Sequence, residues 1–81
     1  MDDAEIVGRI GHLVDEEHGL FERSEREGGL SEAEHARMRA LEVSLDQLWD
    51  LLRRRRARRE FGRDPDQAKL RDASTVERYT D

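Results

Sequence analysis

Eighty-one residues, 43 % of them charged and none of them cysteine, suffice for one small domain and close off both disulfides and thiolate zinc sites as ways of stabilising it. The formal net charge is −5 but unevenly spread: residues 1–50 hold 14 acidic and 5 basic groups, residues 51–63 hold seven arginines against Glu60, and residues 64–81 hold 5 acidic and 3 basic groups. No apolar run approaches the roughly 18 residues of a membrane span, and the acidic start lacks the basic opening of a signal peptide, so a soluble cytoplasmic protein is expected.

The first element reads as an amphipathic helix over about residues 3–27. Its apolar positions are Ile6, Val7, Ile10, Leu13, Val14, Leu20 and Phe21, whose spacings of three, four and seven place them on an arc of roughly 140°. Asp2, Asp3 and Glu5 suit the positive end of the helix dipole. Gly28 supplies a left-handed stop and Gly29 room for the turn.

A second helix is predicted over about residues 31–61. Ser31 with Glu34 is a capping box, and Leu30 stands where a hydrophobic staple belongs. Met38, Leu41, Leu45, Leu48, Trp49 and Leu52 fall within an arc of roughly 100°, with Leu51 off to one side. Gly62 and then Asp64-Pro65 end the helix, because a residue before proline is pushed out of helical geometry. The short corner makes the two helices antiparallel neighbours, so the fold class is all-α with a helical hairpin as its unit.

In that hairpin, residues whose numbers add to about 58 lie opposite one another, which sets Asp2, Asp3 and Glu5 against residues 53–56. One partner helix covers only part of a 140° stripe, and two hairpins face to face would close a four-helix bundle. A homodimer is therefore expected, with an interface of Ile6, Ile10, Leu13, Leu20, Phe21, Leu41, Leu45, Leu48, Trp49 and Leu52. Trp49, at the margin of the stripe, reads as a core or dimer anchor, whereas Val43 and Phe61 on the opposite side suit an outside contact.

The tail, residues 62–81, is less regular. Asp64-Pro65-Asp66-Gln67 can open one helical turn with proline at its first position, and Ser74-Thr75-Val76-Glu77 can open another. Leu70, Val76 and Tyr79 are its sizeable apolar groups, so it either docks through them or stays disordered.

Arg53, Arg54, Arg55, Arg56, Arg58 and Arg59 point in nearly every direction around the second helix, so no single face gathers them for a nucleic acid groove. Pairing within the protein is the main expectation, with a surplus available to a protein partner; binding of nucleic acid or phosphate through this end is the alternative. Glu17, in the middle of the first apolar arc, reads as a registry device. A second alternative is a metal site from Asp15-x-x-His18 and Glu32-x-x-His35, although neither pair projects into its apolar stripe as di-metal bundles require. His12 points to solvent, and Ser24, Ser31, Ser44 and Ser74 have no base at a suggestive spacing. No catalytic residue, cofactor site or metal ligand is assigned, and the chain is read as a non-enzymatic interaction or scaffold module.

Three segments carry a family resemblance: LVDEEHGLFER, SEAEHARMRALEVSLDQLWDLLRRRRARRE and GRDPDQAKLR. They resemble a family of short actinobacterial proteins known as a domain of unknown function. Leu45-Asp46-Gln47 followed by Trp49-Asp50-Leu51-Leu52-Arg53 is the most distinctive part, and the unbroken arginine run departs from the pattern, where an interrupting residue such as glutamine is expected. The resemblance implies a bacterial protein with no assigned activity.

Overall fold

The computed structural model describes residues 1–80, with Tyr79 and Thr80 as backbone only. The apolar contact suggested for Tyr79 therefore lies outside the described side chains. Helix α1 spans Asp3–Glu27 and helix α2 spans Glu32–Glu60, within a residue of the bounds expected from the sequence.

Local chemistry sets each boundary. Asp2 caps α1 by accepting from the Glu5 backbone N–H at 2.8 Å. Gly28 ends the helix in the left-handed region at φ 78°, and Gly29 follows at φ 131°; side chains are strained at such angles, so glycine is required for a corner this tight. The Ser31 capping box forms in both directions, with the Glu34 N–H donating to Ser31 Oγ at 3.2 Å and the Ser31 N–H to Glu34 Oε1 at 2.9 Å. At the far end α2 closes on Phe61, and Gly62 at φ 70° turns the chain back.

The hairpin buries one continuous apolar seam. Leu20, Met38 and Leu41 pack near the corner, while Ile6, Ile10, Leu45, Leu48, Leu51, Leu52 and the tail's Ala68 pack toward the open end. Leu13 touches both groups, so the seam runs the length of the hairpin.

Of the two possibilities for the tail, the structure shows the docked one. Asp64 caps a 3₁₀ turn, Pro65–Gln67, accepting from the Asp66 N–H at 2.9 Å with proline at its start. Helix α3 follows at Ala73–Thr80. It begins before Ser74 because Asp72 is its capping group, accepting from the Thr75 N–H and the Ser74 hydroxyl at 2.8 Å each. The 3₁₀ turn and α3 both pack on α2, burying Ala68 and Val76. This cover explains Leu51, which lies off the hairpin stripe yet is only 3 % exposed and packs in the same cluster as Ala68. Val43, expected to face outward, is half-buried.

The molecule measures 50 × 25 × 15 Å. The 3₁₀ turn and α3 lie against α2 on one side of the hairpin, and the opposite side of α1 and α2 has no helix packed on it among the described residues.

Candidate functional site

Two features outside the core stand out: a row of exposed apolar side chains along the hairpin and the arginine-rich end of α2. The row begins with Val7, Val14 and Phe21, seven residues apart on α1 and so on one stripe of it. Val7 and Phe21 are each 55 % exposed, and Val14 is partly buried against the core. Trp49 on α2 is 44 % exposed.

These residues share a face, which follows from the helical register and from where the tail lies. Gln47, Leu51 and Arg54 hold the tail: the Gln47 amide donates to Arg71 O at 3.1 Å, Arg54 donates to Lys69 O, and Leu51 packs with Ala68. Trp49 is two residues from both Gln47 and Leu51, hence roughly 160° around the helix from each, away from the tail. The tail side carries a groove of about 300 Å³, with Leu13, Leu48 and Leu70 as its apolar lining and Arg9, His12, Ser44 and Gln47 as its polar one. Arg9, His12 and Leu13 lie on one flank of α1, and Val7 and Val14 lie on the other. The antiparallel pairing puts that second flank on the same side of the hairpin as Trp49.

The arginines divide by environment rather than acting as a block. Arg55 is 4 % exposed and ties three segments together. Its Nε donates to Asp3 Oδ1 at 2.6 Å, and its Nη1 donates to Asp66 Oδ1 at 2.9 Å and Pro65 O at 3.2 Å. Arg59 donates to the other Asp3 oxygen at 2.7 Å. Hydrogen bonds from Arg59 and Arg55 hold the Asp3 carboxyl below the usual carboxylate range. Arg54 donates to Asp50 Oδ2 at 3.0 Å, and Arg71 lies 3.9 Å from Asp50 Oδ1. Arg53, Arg56 and Arg58 make no ion pair among the described residues.

Further along the hairpin, Arg37 binds Glu16 and Arg23 binds Glu34 at 2.7 Å. These pairs join the two helices on the tail side of the seam. Both carboxyls are held below their ordinary range, Glu16 chiefly by Arg37 and Glu34 chiefly by the Ser31 backbone N–H.

A model for a family described as a protein of unknown function, DUF2630, matches residues 2–81. The chain belongs to the DUF2630 family. It is also 48 % identical over 79 residues to uncharacterised proteins of Mycobacterium tuberculosis and Mycobacterium bovis, covering 96 % of this chain and 90 % of each of them. No solved structure matches.

In this DUF2630 chain, the residues expected to join two copies are split by the fold. Ile6, Ile10, Leu20, Leu41, Leu45, Leu48 and Leu52 are buried within the single chain, Leu13 is half-buried, and only Phe21 and Trp49 stand on the surface. Beside Phe21 on α1 stand Val7 and the half-buried Val14, which the sequence shows as part of the first stripe but not as its outer edge. Glu17 is half-buried rather than enclosed.

Asp15, His18, Glu32 and His35 are all exposed, and no three His, Asp or Glu side chains converge as metal ligands among the described residues. No helix among those residues is long and apolar enough to cross a membrane. Asp50, 9 % exposed, is the anchor that sequence reasoning missed. Its spacing of four from Arg54 was the available signal.

Proposed function

We propose that this chain is a small, non-catalytic interaction module that first associates with itself. Two copies join through the face carrying Val7, Val14, Phe21 and Trp49, forming a four-helix bundle with the tails outside. The observation behind this reading is the apolar row of Val7, Phe21 and Trp49, left exposed on the side of the hairpin away from the tail. Aligned exposure of this kind marks an interaction surface, whereas scattered apolar residues do not. A broad face of 50 × 25 Å also has room for the roughly 800 Å² per partner that a stable interface buries.

The test is sedimentation at micromolar concentration, where a dimer is expected. Val7→Arg combined with Phe21→Arg is expected to leave a helical monomer, because both side chains are more than half exposed in the single chain. A folded, monomeric wild type would overturn the proposal.

Recognition of a further protein partner then falls to the free cations, Arg53 and Arg56 on one flank and Arg58 roughly 140° around the helix from Arg53. The same scatter weakens a nucleic acid reading. Arg54, Arg55 and Arg59 already have carboxylate or carbonyl partners, and the remaining three form no common strip.

A further inference from the structure

The groove on the tail side of the hairpin is lined by polar groups that have nothing in the chain to bind. Leu13 and Leu48 are its apolar lining from α1 and α2, and Leu70, from the segment between the 3₁₀ turn and α3, is its apolar lining from the tail. Ala68 and Val76 are buried in the docked tail, whereas Leu70 stays 49 % exposed. Arg9, His12 and Ser44 also line the groove, and none of their side chains makes a hydrogen bond or ion pair among the described residues. Gln47 gives one amide N–H to Arg71 O and keeps the other. No carboxylate lines the groove among the described residues, and Glu5, one turn before Arg9, makes no ion pair with it. The hollow nearer the corner is the contrast: Glu16, Arg23, Glu34 and Arg37 surround it and are paired with one another. Apolar surface beside unused donors, with no anion among them, matches a small molecule that carries both an apolar body and an acid group.

We infer that this groove binds a small carboxylic acid, its carboxylate on Arg9 and Ser44 and its apolar body on Leu13, Leu48 and Leu70. The guanidinium of Arg9 supplies the charge and can grip both carboxylate oxygens, while His12 and Gln47 offer further donors. At about 300 Å³ the groove has about twice the volume of a cavity that admits benzene, which suits a body of about eight to ten carbon atoms. Leu70 belongs to the docked tail and Gln47 is held by a tail carbonyl, so the site is complete only while the tail is docked. Binding and docking therefore stabilise one another. The groove is on the flank away from Trp49, so it stays open whether or not two copies join.

Octanoate is the probe, with octanol as the same chain without the carboxylate and acetate as the carboxylate without the chain. In amide NMR of the full chain, octanoate is expected to shift the groove residues with a Kd of about 1 mM or below. Octanol and acetate are expected to bind about tenfold or more weakly. Arg9→Gln is expected to weaken octanoate about tenfold and leave octanol unchanged, whereas Leu70→Ala weakens both. Both side chains are exposed, so neither change removes a core contact. Saturating octanoate is also expected to slow hydrogen exchange in the 3₁₀ turn and α3. No shifts up to about 10 mM would overturn the proposal. So would shifts confined to the Val7, Phe21 and Trp49 face, octanol binding as well as octanoate, or an unchanged octanoate affinity in Arg9→Gln.

Discussion

Arg55 sits in a run of four arginines, yet only it is enclosed, and its enclosure depends on partners from both ends of the chain. Asp3 comes from the first turn of α1 and Asp66 from the turn after α2. The exposures are unequal, 5 % for the arginine side chain against 37 % and 74 % for the acids. Removing the acids strands a buried cation, whereas removing the arginine leaves acids that water can reach, so the acid deletions are the more damaging ones. The pH response follows from the carboxyls. Asp3, Glu16, Glu34 and Asp72 all have folded values below their ordinary ones, held there chiefly by Arg59, by Arg37, by the Ser31 backbone N–H and by the Thr75 backbone N–H respectively. The unfolded chain therefore binds protons first as pH falls. Their stabilisation is complete above the ordinary carboxylate range, near pH 4, and is lost as pH drops through the depressed folded values. Urea unfolding midpoints are expected to stay level from about pH 7 to 5 and to fall below about pH 4; a level profile down to pH 3 would contradict this assignment.

At the scale of elements, α1 and α2 were legible because capping and periodicity agree. Asp2, Gly28 and the Ser31–Glu34 box mark three boundaries, and the apolar spacing marks the faces. The antiparallel register was legible too, since Asp3 and Arg55 pair where the tight corner requires. Tail docking was not. It depends on backbone carbonyls of Pro65, Lys69 and Arg71 meeting Arg55, Arg54 and Gln47, and carbonyls carry no sequence signature. Ala68 is the small apolar residue that lets the tail approach Leu51. Replacing it with glutamate places a charge at a buried contact. The expected result is loss of hydrogen-exchange protection for the backbone of the 3₁₀ turn and α3, by about tenfold or more, with α1 and the corner half of α2 unchanged. Uniform loss across all helices would show instead that the tail and hairpin unfold as one unit.

For the whole molecule, a tail packed on one side of the hairpin leaves apolar side chains in water on the other. The expectation of a homodimer rested on two stripes too wide for one another, and part of that width proves to be covered by the tail, which buries Leu51 and encloses Val76. The side away from the tail keeps Val7, Phe21 and Trp49 exposed, with Val14 beneath. If that side is a dimer surface, stability depends on concentration. Each tenfold rise in protein is expected to add about 1.4 kcal/mol to the assembled state and to raise the melting temperature by several degrees. A melting temperature that does not move between 1 and 100 µM, on the order of the range that calorimetry and fluorescence span together, would count against association.

Periodicity, caps and the short glycine corner determined the two helices, their antiparallel pairing and the seam between them, because each of these depends on residues near in sequence or on a single tight turn. Tertiary structure alone decided which arginine became internal, which flank of α2 the tail covers and which apolar residues remain in water. Those outcomes depend on the return path of residues 62–80. The returning chain satisfies its carbonyls on Gln47, Arg54 and Arg55, and Trp49, on the other flank of α2, stays in water.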